Sequence, residues 1–250
     1  ADARRIHMSV AKDVVATGGN RSSKTDTMLA DIAIRLTGIV PFSLEADYPS
    51  SKLHPPIRVR IVCQSAANTL ETVIKPKLQW WVWNGRDPVG GAFGHWGWIP
   101  PAMLVDGDWQ KSWSEKNRTL SLRNGSAVQF MTHNQEVQEF SGGSFHVILH
   151  DEGPSHSIYR ENRMRTMDTN GQLLLAMTPP DDESASWEAA WVYDGLYERG
   201  LDGPNKHPDI DSFTLHTEEN RILSARDINT VVDGLTDEQR EVRLHGRFLH

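Results

Sequence analysis

Three short strings hold the residues whose types and spacing suit chemistry. The first is GGNRSSKT, from Gly18 to Thr25, and a glycine-led turn ending in Lys-Thr is the pattern by which a chain cradles a nucleoside triphosphate, the Walker A motif. It assigns nucleotide binding to Gly18, Gly19, Asn20, Arg21, Ser22, Ser23, Lys24 and Thr25. In that geometry main-chain N–H groups and a helix N-terminus face the phosphates, Lys24 reaches the β and γ phosphates, and the Thr25 hydroxyl ligates Mg²⁺. The usual pattern, G-x-x-x-x-G-K-[ST], has glycine where this chain has Ser23, so a side chain stands where the backbone passes close to phosphate. The second string, VILHDE, ends in Asp151 and Glu152, which would form the Walker B segment. Two acids at the carboxyl end of a buried strand can divide labour, Asp151 holding Mg²⁺ while Glu152 orients and deprotonates the water that attacks the γ phosphate. The third is LLLAMTPP. A Thr178 hydroxyl at a strand end can bond the attacking water or the γ phosphate and report its loss to moving parts of the protein.

The flanking patterns supply elements to position these groups. The apolar run VVAT before the loop and MLADIAIRL (28–36) after it make a strand, a loop and a helix, the context the phosphate loop requires. IRVRIVC (57–63) alternates and is β-branched, and residues 65–82 read as a capped helix interrupted near Pro76. TLSLRNGSAVQFMT (119–132) predicts a hairpin turning at Arg123-Asn124-Gly125. FHVILHDE (145–152) and QLLLAMTPP (172–180) predict buried strands, DSFTLHT (211–217) a further strand, and LTDEQREVRLHG (235–246) a capped polar helix. Strands alternating with helices give a parallel sheet covered by helices, and ligands of such sheets collect at the carboxyl ends of the strands. Residues 80–118, rich in Trp, Gly and Pro, hold seven of the nine tryptophans. This insertion is either a lid with its own small core or an aromatic surface that stacks bases.

Composition narrows the class. With 38% hydrophobic and 24% charged residues the chain is an ordinary globular one, long enough for a substantial core. No uninterrupted apolar stretch approaches the roughly 18 residues that span a bilayer, so no membrane partner is expected. The single Cys63 has no internal disulfide partner and reads as a buried thiol in a reducing compartment. A first residue of Ala1 rather than Met suggests a piece of something longer. The net charge of −7 alone argues against nucleic-acid binding, but residues 181–250 carry 16 acidic and 7 basic side chains, leaving the first 180 at +2. Lys52, Arg58, Arg60, Lys75, Lys77 and Arg86 stand against only Glu71, enough for a phosphate-tracking patch if they share a face. His146 and His150 point to one face of an extended strand but lie about 13 Å apart, too far for one metal ion. The cluster Asp181-Asp182-Glu183 reads as a solvated loop.

Read with their flanks, these motifs resemble the N-terminal ATPase domain of the large terminase subunit of tailed bacteriophages. GGNRSSKT is similar to that family's phosphate loop, which places an arginine where Arg21 stands; SGGSFHVILHDEGP resembles its magnesium and catalytic-acid segment, AMTPP its coupling motif, and TDEQREVRLHGRF the stretch that closes its ATPase domain. The resemblance covers nearly the whole chain. It implies an α/β fold with a RecA-like (ASCE-type) P-loop core over residues 1–250, with 235–250 leading toward a nuclease domain that lies outside the chain. It further implies a motor that couples Mg-ATP hydrolysis to translocation of double-stranded DNA into a procapsid, with Arg21 contacting phosphate beside Glu152 and Thr178. The implied partners are the portal protein, the small terminase subunit and further copies in a ring, at work in the host cytoplasm. Three features depart from the family: Ser23, the absence of a glutamine before Val14, and the absence of an arginine in QEFSGGSF. Arg118, Arg123, Arg160, Arg163 and Arg165 remain candidates for a trans-acting finger. The alternatives are a helicase or repair-type translocase on the same core, or a weakly catalytic nucleotide-dependent assembly module.

Overall fold

The computed structural model describes residues 2–79, 81–86, 92–95, 97–180, 189–220 and 223–248, with the backbone alone at 81–86, 92–95, 225, 227 and 231. The chain divides into two compact units, one formed by Ala1–Met28 with Glu136–His250 and the other by Leu29–Gln135.

The first unit opens with α1 (Asp2–Met8), followed by β1 (Asp13–Gly18). Further on come β8 (Val147–Asp151), α5 (His156–Met164), β9 (Gln172–Met177) and β10 (Ile210–Leu215). Its strands run parallel in the order β10, β1, β9, β8. Every residue of β1, β8 and β9 is buried, which is why these strands read as near-continuous apolar runs: parallel strands covered on both faces have no solvent side to alternate toward. Leu173, Leu174 and Leu175 are all buried, and each contributes about 2 kcal/mol relative to exposure. Val15, Leu175, Met177, Val192, Leu196 and Ile210 form one core cluster, with Trp191, Tyr197 and Phe248 packed against it. After β10 come α6 (Ala225–Val232) and α7 (Asp237–Arg243). Thr236 and Gln239 make a reciprocal capping box at the start of α7, as the TDEQ string predicts.

Register decides what these strands present. Thr17 lies opposite Met177, Asp151 opposite Ala176, and Gly18 opposite Leu215. The carboxyl ends of β1, β8, β9 and β10 therefore line up along one edge of the parallel sheet, with β9 between the strand that enters the phosphate loop and the strand that carries the two acids. The helix leaving the loop, α2, runs Lys24–Thr37.

In the second unit β2 (Arg58–Cys63) pairs in parallel with β7 (Ala127–Thr132), while β6 (Thr119–Ser121) and β5 (Trp113–Ser114), which follows the short α4 (Trp109–Ser112), add antiparallel partners. The hairpin turns where expected, with Leu122 N–H bonded to Ser126 O at 2.8 Å and Gly125 at φ +87°. The helix expected over 65–82 is shorter. Ser65 caps it, a π-helical stretch spans Ala66–Ile74, α3 spans Lys75–Leu78, and Gln79 is already extended. Pro76 does not interrupt it, because its missing N–H falls at the junction where pairing changes from five residues back to four. Val82 lies instead in β3 (Trp81–Arg86), which pairs antiparallel with β4 (Ala92–His95).

The basic stretch does not form one face. Lys52 and Arg60 are buried; Lys52 pairs with Asp31 at 2.9 Å and Arg60 Nε donates to Gln129 at 3.0 Å. Asp31 also accepts from Tyr48 Oη at 2.9 Å and pairs with Arg35 at 2.6 Å. Lys75 is bonded to Glu71 and lies 4.3 Å over the Trp113 ring. Trp113 in turn packs 5.4 Å from Phe130, so this part of the tryptophan-rich segment joins the core of its own unit.

Candidate nucleotide site

All the expected site residues lie in the first unit, at the carboxyl edge of its sheet. The phosphate loop leaves β1 at Gly18 and enters α2 at Lys24. Ser23 O accepts the Thr27 N–H at 2.9 Å and the Thr27 hydroxyl at 2.9 Å. The loop holds two non-glycine residues in the left-handed region, Arg21 at φ +60° and Ser23 at φ +69°. The second value gives a backbone reason for the usual glycine at that position: only glycine adopts such a φ without cost.

Lys24 is buried, and its Nζ donates to Gly18 O at 3.0 Å, Gly19 O at 2.8 Å and Thr178 Oγ1 at 2.9 Å. Burial holds its pKa below the ordinary lysine value, partly offset by the carboxylates of Glu152 and Asp151. Thr25 Oγ1 donates to Asp151 Oδ1 at 2.6 Å, a short bond of the kind made to an ionised carboxylate. Thr178 Oγ1 also donates to Asn20 Oδ1 at 3.4 Å, and the Thr178 N–H donates to Glu152 Oε2 at 3.2 Å. The three strings thus meet as one connected group, running from Lys24 through Thr178 to Glu152 and from Thr25 to Asp151.

Glu152 shares the backbone strain of the loop, at φ +76°, with its N–H bonded to Ala176 O at 2.7 Å. Non-glycine residues held in this region cluster where geometry serves function. Burial pushes the Glu152 carboxyl above its ordinary value and the neighbouring Asp151 charge adds to this, while Lys24 and the Thr178 N–H partly offset both. A carboxyl so placed is a stronger base than a solvated glutamate.

The donor set suits a small hard cation. Thr25 and Asp151 offer a hydroxyl and a carboxylate 2.6 Å apart, the oxygen donors Mg²⁺ prefers, and Mg²⁺ commonly takes only one or two protein ligands beside substrate phosphates. Ser22 Oγ is buried in the loop with no hydrogen-bond partner among the described residues, a polar group a ligand oxygen would satisfy. Arg21 and Asn20 are exposed.

Other candidates fall elsewhere. Arg163 pairs with Asp13 at 3.3 Å, Arg165 with Glu161 at 3.2 Å, and Arg123 donates to Ala102 O at 3.2 Å; Arg160 is exposed. His150 is fully buried and bonded to Asn162 at 3.3 Å, and among the described residues no group of three or more His, Cys, Asp or Glu side chains is arranged for a metal. Asp181, Asp182 and Glu183 lie outside the described residues. Sequence reasoning missed Thr217, Asn220 and the carbonyls of Arg243 and Leu244, all of which bond near or on the loop. The two acceptors among them, the Arg243 and Leu244 carbonyls, are main-chain groups, which leave no signature in residue types.

Neither a protein-family model nor a curated protein matches this chain. Its fold, however, is similar to several solved structures. The ATPase domain of the Thermus phage P74-26 large terminase shares 14% identity over 99% of this chain and 92% of its own, at a TM-score of 0.56. The large terminase of a thermophilic bacteriophage, in a structure in complex with ADP, shares 12% identity over 97% of this chain, at a TM-score of 0.58; this chain spans 49% of it. A further structure of that thermophilic phage's protein shares 10% identity over the whole of this chain and 53% of its own, at a TM-score of 0.59. The chain thus has the RecA-like α/β fold of phage large-terminase ATPase domains.

Proposed function

We propose that this chain is the ATP-hydrolysing motor domain of a viral DNA-packaging terminase, coupling Mg-ATP hydrolysis to movement of double-stranded DNA into a procapsid. The observation that carries the reading is the convergence of Lys24, Thr25, Asp151, Glu152 and Thr178 through the bonds described above. Lys24 supplies a buried positive charge for the phosphates, and Arg21 adds one from the exposed side of the loop. Thr25 and Asp151 would hold Mg²⁺, which when bound shields phosphate charge. Glu152 takes the proton of the attacking water as oxygen joins the γ phosphorus and the bond to the β-phosphate oxygen breaks, releasing ADP and phosphate. Thr178 bonds both Lys24 and Glu152, so a change at the phosphates reaches β9 through it. DNA, the portal, the small terminase subunit, a ring of like chains and the host cytoplasm belong to the same proposal, on the strength of the shared fold.

Glu152→Gln tests it. The variant keeps shape and the Thr178 N–H bond but loses the base, so it should bind Mg-ATP normally while turnover falls by about 10²- to 10⁴-fold. Unchanged turnover refutes the assignment. Lys24→Ala should instead abolish binding, and DNA-dependent strand separation by the full protein would favour a helicase over a packaging motor.

A further inference from the structure

The phosphate loop is gripped from outside by a second layer of groups that neither the motifs nor the proposed chemistry uses. β10 ends beside β1, with Leu215 opposite Gly18, and the turn after it brings Thr217 and Asn220 to the loop. Thr217 Oγ1 donates to Asn20 O at 2.8 Å, and Asn220 Nδ2 donates to Arg21 O at 2.7 Å. The Asn20 N–H donates to Arg243 O at 2.6 Å, and the Thr217 N–H to Leu244 O at 3.0 Å. Thr217 is itself buried, held between residues 243–244 and the loop. Packing leaves no slack: a Cβ on Gly19 would meet Arg243 O at 2.3 Å and Leu244 O at 2.5 Å, and one on Gly246 would meet Gly18 Cα at 2.2 Å.

We propose that Thr217 and Asn220 are positioning residues for the phosphate loop, setting the direction of its main-chain N–H groups and hence its affinity for nucleotide. This deepens, and rests on, the assignment of Gly18–Thr25 as the nucleotide loop. Three successive peptide units are tied: that of the Asn20 N–H by Arg243, that of Asn20 O by Thr217, and that of Arg21 O by Asn220. In a planar trans peptide the C=O and N–H point in opposite directions. Holding Asn20 O against Thr217 therefore turns the Arg21 N–H to the far side of the loop. Holding Arg21 O against Asn220 likewise turns the Ser22 N–H away, where Gly19 O receives it at 3.3 Å. The left-handed Arg21 between these ties is a conformation that persists only where its surroundings over-determine it, and Thr217 and Asn220 are those surroundings.

The test uses the whole chain and Mg-ATP, with Lys24→Ala as reference. Thr217→Val keeps the shape and removes the donor; it should weaken Mg-ATP binding about tenfold, the order expected when one N–H to a charged oxygen is misdirected. KM should rise with it while kcat at saturation stays within about threefold. Thr217→Ser, which keeps the hydroxyl, should restore binding. Asn220→Ala should weaken binding about three- to tenfold, with the unliganded protein still unfolding cooperatively and the rise in melting temperature induced by Mg-ATP reduced. A loss of fold alone would lower the unliganded melting temperature without this pattern of serine rescue. Affinity within twofold of wild type in Asn220→Ala or in folded Thr217→Val, alongside lost binding in Lys24→Ala, overturns the positioning role and leaves the nucleotide assignment standing. Normal binding in Lys24→Ala overturns both.

Discussion

Replacing Ser23 by glycine isolates the one loop position that departs from the usual pattern. Ser23 sits at φ +69°, a region that costs an L-residue roughly 1–2 kcal/mol. Glycine removes that cost but has more conformational freedom to lose on folding, about 0.5–1 kcal/mol relative to alanine. The hydrogen bonds at this residue are accepted by its main-chain oxygen, so they survive the substitution. The balance is a stabilisation of about 0.5–1 kcal/mol, which in a chain of this size raises the melting temperature by about 1–4 °C. Urea and thermal unfolding, with and without Mg-ATP, measure it, and Ser23→Ala is the control because it keeps the Cβ and the strain. If Ser23→Gly melts at or below wild type, or if the alanine variant gains as much, backbone strain at this position is not what distinguishes the loop.

Three further outcomes follow from the same geometry. Because burial and Asp151 raise the Glu152 pKa, the stability tied to its protonated form is full below 4.5 and lost as pH climbs through the folded value. Glu152→Gln should therefore be more stable than wild type at neutral pH and equal to it in acid, and turnover of the wild type should rise along an acid limb above 4.5; a stability difference independent of pH would count against this. Gly19→Ala forces a methyl to within 2.5 Å of Arg243 O, Leu244 O and Thr217 Oγ1 and should cost about 1–3 kcal/mol in denaturant titration, along with weaker nucleotide binding. Lys52, driven down to about 8 by burial against the opposing pull of Asp31, releases its proton in the folded state before the unfolded chain does near 10.5. Stability should climb with pH between those values, and Lys52→Met should flatten that climb in urea midpoints taken at either end.

The strands that carry the site were legible because of how they are buried. β1, β8 and β9 have no solvent face, so each carries a near-continuous apolar run, and the end of that run lies at the functional edge. What stayed hidden depends on partners distant in sequence. Lys52 and Arg60 look like surface charge until Asp31 and Gln129 come to meet them. The left-handed φ at Glu152 and Ser23 belongs to residue types that rarely adopt it, so no propensity points there. The π-helical turn through Ile74 hides behind a proline that reads as a break. The tie between the loop and residues 243–244 uses carbonyls, which every amino acid possesses.

That last property shapes what variation this region tolerates. A clasp built from main-chain oxygens makes no demand on which side chains stand at 243 and 244, so substitutions there act through packing, as at the buried Leu244, and not through the bonds to the loop. Its imprint appears instead where side chains are forbidden, at Gly18, Gly19 and Gly246, whose added methyls would each collide within 2.4 Å of a neighbouring atom. Such a clasp is written in three glycines and not in the letters of the segment that supplies its oxygens.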